Sequence, residues 1–116
     1  MHEIHVNGIQ VYANHGCLDE EAKIGGRYTV DVKMTCDFSE AALNDDLSKT
    51  IDYCDVANIV YQEMAIRSKL IEQVGQRMLC RMLAELPFLQ NIELKLTKHQ
   101  PPIPGEVNSV SVVFKA

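Results

Sequence analysis

From Arg27 to Asp37 the sequence RYTVDVKMTCD alternates without a break: Tyr28, Val30, Val32, Met34 and Cys36 are apolar, and the residues between and around them are polar. Successive side chains of a strand point to opposite faces, so the stretch predicts a long strand with one dry face and one wet face. Such a strand needs neighbours to pair with and a layer of cover on its dry side. The opening segment, Ile4 to Tyr12, is also strand-like, but its apolar parity shifts between Val6 and Ile9 across Asn7-Gly8, which predicts a bulge or kink. The period then lengthens. Val56, Ile59, Val60 and Met64 repeat at helical spacing, and Leu70, Ile71, Val74, Met78, Leu79, Met82 and Leu83 draw a longer stripe, for which Ser68 is a candidate N-cap. After Pro87 the period returns to two, in Ile92 to Lys98 and again in Val110, Val112 and Phe114. The predicted order is ββααββ.

Two helices in one layer cover only one face of four strands, so the face carrying Arg27, Thr29, Asp31, Lys33, Thr35 and Asp37 must meet water. Long strands at the sheet's edges would invite other chains to pair. Closing several copies into a ring uses those edges and leaves the polar face around a wet channel, so a homo-oligomeric barrel is expected.

The 116 residues form one expected domain, 1–116, with 47% hydrophobic and 23% charged residues and no apolar run near the ~20 residues of a membrane helix. MHEIHVNGI has neither the basic start nor the apolar stretch of a signal peptide, so a cytoplasmic location and no membrane partner are expected. Cys17, Cys36, Cys54 and Cys80 are scattered with no CxxC pair, which fits reduced thiols packed as small hydrophobes rather than zinc ligands or disulfides. A net charge of -5 with no cluster of Lys and Arg argues against nucleic acid. The expected ligand is small.

Five residues could carry chemistry. Lys98 shares its parity with Ile92, Leu94 and Leu96, so the dry face ends in an amine just before Pro101, Pro102 and Pro104 stop the sheet. Burial makes an amine easier to deprotonate and lets a lysine act as a base; alternatively its stem packs and the charge reaches solvent. Glu20 and Glu21 lie in the loop-like HGCLDEEAKIGG, bracketed by His15-Gly16 and Gly25-Gly26, and read alone they are a solvated acidic loop. Glu72 stands in the first turn of the second helix, where the dipole favours a carboxylate. There it could accept two parallel hydrogen bonds from an amidine- or guanine-like edge, or merely balance the helix dipole. Tyr53 precedes the first helix, with Asp52 or Thr50 near its cap, and the ordinary role of such a phenol is packing.

Together VYANHGCLDEEAKIGGRYTVDVKM, TIDYCDVANIV, KLIEQVG and LTKHQPPIPGEVNSVSVVF resemble the motifs of the dihydroneopterin aldolases, in order and over nearly the whole chain. TKHQPPIPG is the most specific of them. The resemblance implies an α+β fold, the ββααββ tunnelling fold: a four-stranded antiparallel sheet with two helices on one face, whose subunits close into a four-membered barrel ring that stacks in pairs as an octamer. It implies Lys98, Glu21 and Tyr53 as catalytic residues. Glu72 would be the pterin anchor, with Ile71, Asp52, Tyr53 and Glu21 also touching the substrate. The site would lie between subunits, the tyrosine of one chain facing the glutamates and lysine of the next. The implied reaction is a retro-aldol cleavage of 7,8-dihydroneopterin, with 2′-epimerase activity beside it. The substrate's own ring C=N bond takes the electrons, so neither metal nor cofactor is implied. The chain departs from the family at two places: Asn14 stands where many relatives have Tyr, and Gly26-Arg27 where polar amides are frequent. A dedicated epimerase of the triphosphate, or a non-catalytic pterin-binding ring protein, is the alternative; such epimerases lack the PPIPG loop.

Overall fold

A computed structural model describes residues 1–116. Its sheet comprises β1 (His2–Ala13), β2 (Gly26–Cys36), β3 (Asn91–His99) and β4 (Ser109–Lys115), in the order β1-β2-β3-β4 with every neighbouring pair antiparallel. Two long helices, α3 (Tyr53–Met64) and α4 (Ile71–Glu85), follow two short ones, α1 (Asp19–Ile24) and α2 (Ser39–Asn44). The long elements thus follow the ββααββ order, and the α+β class with its four-stranded antiparallel sheet is that of the structure.

The alternation in β2 is realised as expected. Tyr28, Val30, Val32, Met34 and Cys36 are all buried, facing Ile92, Leu94 and Leu96 of β3 on the same side. The parity shift in β1 is a break in register between Val6 and Ile9, with Gly8 at φ 68° and its N–H donating to Asp31 Oδ1 at 2.7 Å. A left-handed residue is what a bulge of this kind demands, and glycine takes it without strain. The extra residue brings Ile9 and Ala13 back to the dry face, where both are buried.

Over that face α3 buries Val56, Ile59, Val60 and Met64, and α4 buries Val74, Met78, Leu79 and Met82. Asp52 caps α3, its carboxylate accepting the Cys54 N–H at 2.8 Å. Gly75 lets α4 reach the sheet: a Cβ there would lie 2.3 Å from the ring of Phe114 on β4. Gly75→Ala therefore forces that ring aside, and overpacking of this kind costs roughly 1–3 kcal/mol, partly offset by the ~1 kcal/mol helix preference of alanine. A net loss of stability in urea denaturation checks it.

Four expectations need correction. The segment carrying Glu20 and Glu21 is not a loop but the first turn of α1, with Asp19 beside them, where three carboxylates suit the positive end of a helix. Ser68 does not cap α4, whose N-cap is Leu70 with no side-chain cap hydrogen bond; Ser68 is instead buried under Arg77. All four cysteines are free, but only Cys36 is buried, whereas Cys17, Cys54 and Cys80 are exposed. Tyr53 is the first residue of α3 rather than its predecessor.

The molecule is elongated, 51 × 25 × 20 Å, with a radius of gyration of 15.6 Å against the about 13 Å of a compact domain this long. β1 and β4 are the sheet's edges, and β4 shows Val110 and Val113 to solvent. No helix is long and apolar enough to cross a membrane.

Candidate active site

The β2–β3 register places Tyr28 directly opposite Lys98 at the far end of the dry face. Beyond them the sheet stops: Gln100 turns at φ 47°, its N–H donating to the Asn108 carbonyl at 2.7 Å, and the proline loop follows. The Lys98 ammonium donates to Glu21 Oε2 and, at 3.0 Å, to the His15 carbonyl. It stands 6.0 Å from the centroid of the Tyr28 ring. The two side chains of this ion pair are only 16% and 14% exposed.

Glu21 is held from its other oxygen as well, since Oε1 accepts the Leu18 N–H at 3.2 Å. Burial alone would raise the Glu21 carboxyl, but the Lys98 donor, the Leu18 amide and the nearby positive charges outweigh it and hold the group below the ordinary glutamate value. At neutral pH it is a carboxylate. Burial pushes the Tyr28 phenol up to about 12, so its hydroxyl remains a donor and binds the His15 carbonyl at 2.8 Å.

The backbone at Gly16 makes room for this pair. Gly16 has φ 145°, a conformation L residues seldom adopt, and a Cβ on it would lie 2.2 to 2.4 Å from the Glu21 carboxylate. Gly16→Ala should therefore expel Glu21 from its partner and strain the backbone together. The expected result is a loss of turnover at least as large as that of Glu21→Gln, measured side by side on folded protein; an alanine variant of normal rate contradicts this packing.

Glu21, Lys98, His15 and Tyr28 line a cleft of about 180 Å³ that also includes Gly25, Gly26 and Pro102. The other expected residues lie outside it. Glu72 is exposed on the first turn of α4, next to the buried Ile71, at a helix end that no side chain caps. Such an end leaves backbone N–H groups for a ligand to use. Tyr53 is 65% exposed, and Asp52 beside it is half-buried. The chain thus joins Lys98 to Glu21 and leaves Glu72 and Tyr53 facing outward. Cys17, Arg67, Ser68, Lys69, Leu70 and Gln73 line a wider hollow of about 700 Å³ before α4. Of the departures from the family pattern, Asn14 donates to the Ala22 carbonyl at 3.0 Å and so pins α1, and Arg27 is exposed.

Sequence reasoning did not single out Tyr28 or the His15 carbonyl. Tyr28 carried a usable signal: a phenol on a dry strand face must find a partner for its hydroxyl. A backbone carbonyl carries none.

This sheet with helices on one face and a lysine–carboxylate pair at its end has the fold of a pterin-complexed aldolase. Over 100% of this chain and 99% of the other, at 24% identity, the structure superposes with a TM-score of 0.90 on Escherichia coli dihydroneopterin aldolase in complex with neopterin. The family described as "FolB: Dihydroneopterin aldolase" matches residues 4–115. The dihydroneopterin aldolase of Bacillus subtilis (strain 168) is 33% identical over 113 residues, 97% of this chain and 94% of the relative. That of Staphylococcus epidermidis (strain ATCC 12228 / FDA PCI 1200) is 32% identical over 110 residues, 94% of this chain and 91% of the relative. The chain belongs to the dihydroneopterin aldolase family.

Proposed function

We propose that the chain cleaves 7,8-dihydroneopterin by a retro-aldol reaction to 6-hydroxymethyl-7,8-dihydropterin and glycolaldehyde, a step of folate biosynthesis. The observation that carries this reading is the Lys98–Glu21 pair, nearly closed off from water at the end of the apolar sheet face. In this reading Lys98, acting through an ordered water, takes the proton of the side-chain 2′-hydroxyl. Electrons of the breaking C1′–C2′ bond pass into the ring C=N bond, and a proton reaches N5. Glu21 orients the water and the hydroxyls. The enamine left behind is protonated on C1′ with the help of Tyr53, N5 gives its proton back as the ring C=N bond re-forms, and the product keeps its 1′-hydroxyl. An electron sink inside the substrate does what a lysine Schiff base or a metal does in other aldolases.

Glu72 anchors the pterin in this reading, its carboxylate accepting from N3–H and the 2-amino group, while backbone at Ile71 and near Asp52 completes the grip. Four residues thus act from two surfaces. A cleft of about 180 Å³ falls short of the roughly 300–1,000 Å³ of ordinary ligand sites. The missing wall is Tyr53 and Asp52 of a neighbouring copy, in a ring of four chains that stack in pairs. The elongated shape, the two open edge strands and the exposure of Tyr53 support this assembly.

Incubation with 7,8-dihydroneopterin followed by product identification tests the reaction. Glycolaldehyde appears in step with the hydroxymethyl product if the reading is right; the 2′-epimer alone indicates an epimerase, and binding without turnover a pterin-holding ring. Sedimentation at micromolar concentration tests the assembly, and a monomer there rules it out.

A further inference from the structure

The pair that performs the chemistry and the helix end that carries Glu72 belong to segments far apart in sequence, yet both are tied to residues 15–16. His15 is 1% exposed, a burial that an imidazole tolerates only with its polar atoms engaged or its charge removed. Its Nδ1 accepts the Ser68 N–H at 3.1 Å, so its proton sits on Nε2, which is enclosed and makes no hydrogen bond. Burial above all lowers the imidazole's affinity for a second proton; the Met64 backbone is the next-largest influence and opposes it, and the charges of Arg77, Lys98 and Arg67 add to the lowering. The ring is therefore neutral and serves as an acceptor. The next residue closes the clasp: Gly16 N–H donates to the Ser68 carbonyl at 3.1 Å, and the Gly16 carbonyl accepts from Arg67 at 2.7 Å. On its other side the His15 carbonyl receives both Lys98 and Tyr28.

We infer that His15 is a positioning residue that locks the Lys98–Glu21 pair to the start of α4, so that the base and the pterin anchor keep one fixed separation. The inference rests on the assignment of Lys98 and Glu72 given above. Its physical basis is geometric. A flat heterocycle gripped at one edge by Glu72 presents its side chain to Lys98 only if the two supports do not slide, and a misplacement of about 1 Å can cost some hundredfold in rate. Ser68 lies three residues before Ile71, and Arg77 fixes it from the helix side through its hydroxyl. His15 is the link from the sheet side. A backbone carbonyl cannot be removed by mutation, but the imidazole acceptor that orients the same residue can.

The test compares His15→Leu, which fills space without an acceptor, with His15→Asn, whose Oδ1 can stand where Nδ1 stands and accept the Ser68 N–H. Arg67→Met cuts the tether to Gly16 from an exposed position, and Lys98→Ala serves as control. Each folded protein is assayed for neopterin dissociation constant, kcat and melting temperature. The expected result is that His15→Leu loses at least tenfold in both kcat and neopterin affinity, that His15→Asn recovers both to within about threefold of wild type, and that Arg67→Met weakens neopterin binding severalfold. A role in stability alone lowers the melting temperature of His15→Leu and His15→Asn while leaving kcat and affinity per folded molecule unchanged, and that outcome overturns the inference. Should His15→Leu not fold, the other two decide: Arg67→Met with wild-type binding, or His15→Asn with the losses unrecovered, overturns it equally. Wild-type turnover in Lys98→Ala would instead strike at the assignment of the base, whatever His15 does.

Discussion

Lys98→Ala lowers turnover of 7,8-dihydroneopterin by roughly 10²- to 10⁴-fold, the contribution a positioned proton-transfer group makes. The loss falls on kcat. Lys98 lies at the end of the sheet's apolar face, among residues that shape the cleft rather than at the exposed helix end proposed to anchor the pterin, so the Michaelis constant should move little. The substitution also leaves the Glu21 carboxylate, 14% exposed, without its cation, which costs stability as well as rate. Melting curves recorded beside the kinetics separate the two, and kcat should stay depressed well below the melting temperature. A folded Lys98→Ala protein with the wild-type rate removes Lys98 from the mechanism.

Glu72→Ala weakens pterin binding instead. It strands the paired donors of the heterocycle, and truncating one partner of a buried, hydrogen-bonded charge contact costs about 2–5 kcal/mol, or roughly 30- to 4,000-fold in dissociation constant. The free protein should hardly notice, because Glu72 is exposed, and an exposed carboxylate in a first helical turn contributes only ~0.3–1 kcal/mol through the helix dipole. Titration with neopterin measures the effect directly. Unchanged affinity in Glu72→Ala contradicts the anchor. Since Lys98 and Glu72 differ in which constant they move, the same two variants also separate a binding protein from an enzyme.

The fold was readable where a single period ran unbroken. β2 followed from eleven alternating residues, the bulge in β1 from one displaced parity at Asn7-Gly8, and the end of β3 from the prolines after His99. Short elements were less legible. α1 and α2 have six residues each and bury none, so no apolar stripe announces them. Ser68 misled because its composition suits a cap, whereas its place beneath Arg77 depends on contacts nine and fifty-three residues away. Lys98 was marked by strand parity and Glu72 by its helix turn, but nothing in the residues alone could pair Lys98 with Glu21, seventy-seven positions apart. That required the family resemblance, and the geometry brings the two together. Three exposed cysteines show the limit of composition, which describes what a residue type usually does and not where a particular one lies.

The narrow cleft and the stretched outline of the chain would, in the assembly proposed above, make catalysis a matter of mass action. In the proposed ring a subunit would carry only part of its pocket and gain activity from the abundance of its siblings, so dilution would extinguish the reaction while every polypeptide remained folded, and a surplus of chains defective at one face would poison the sound ones they met.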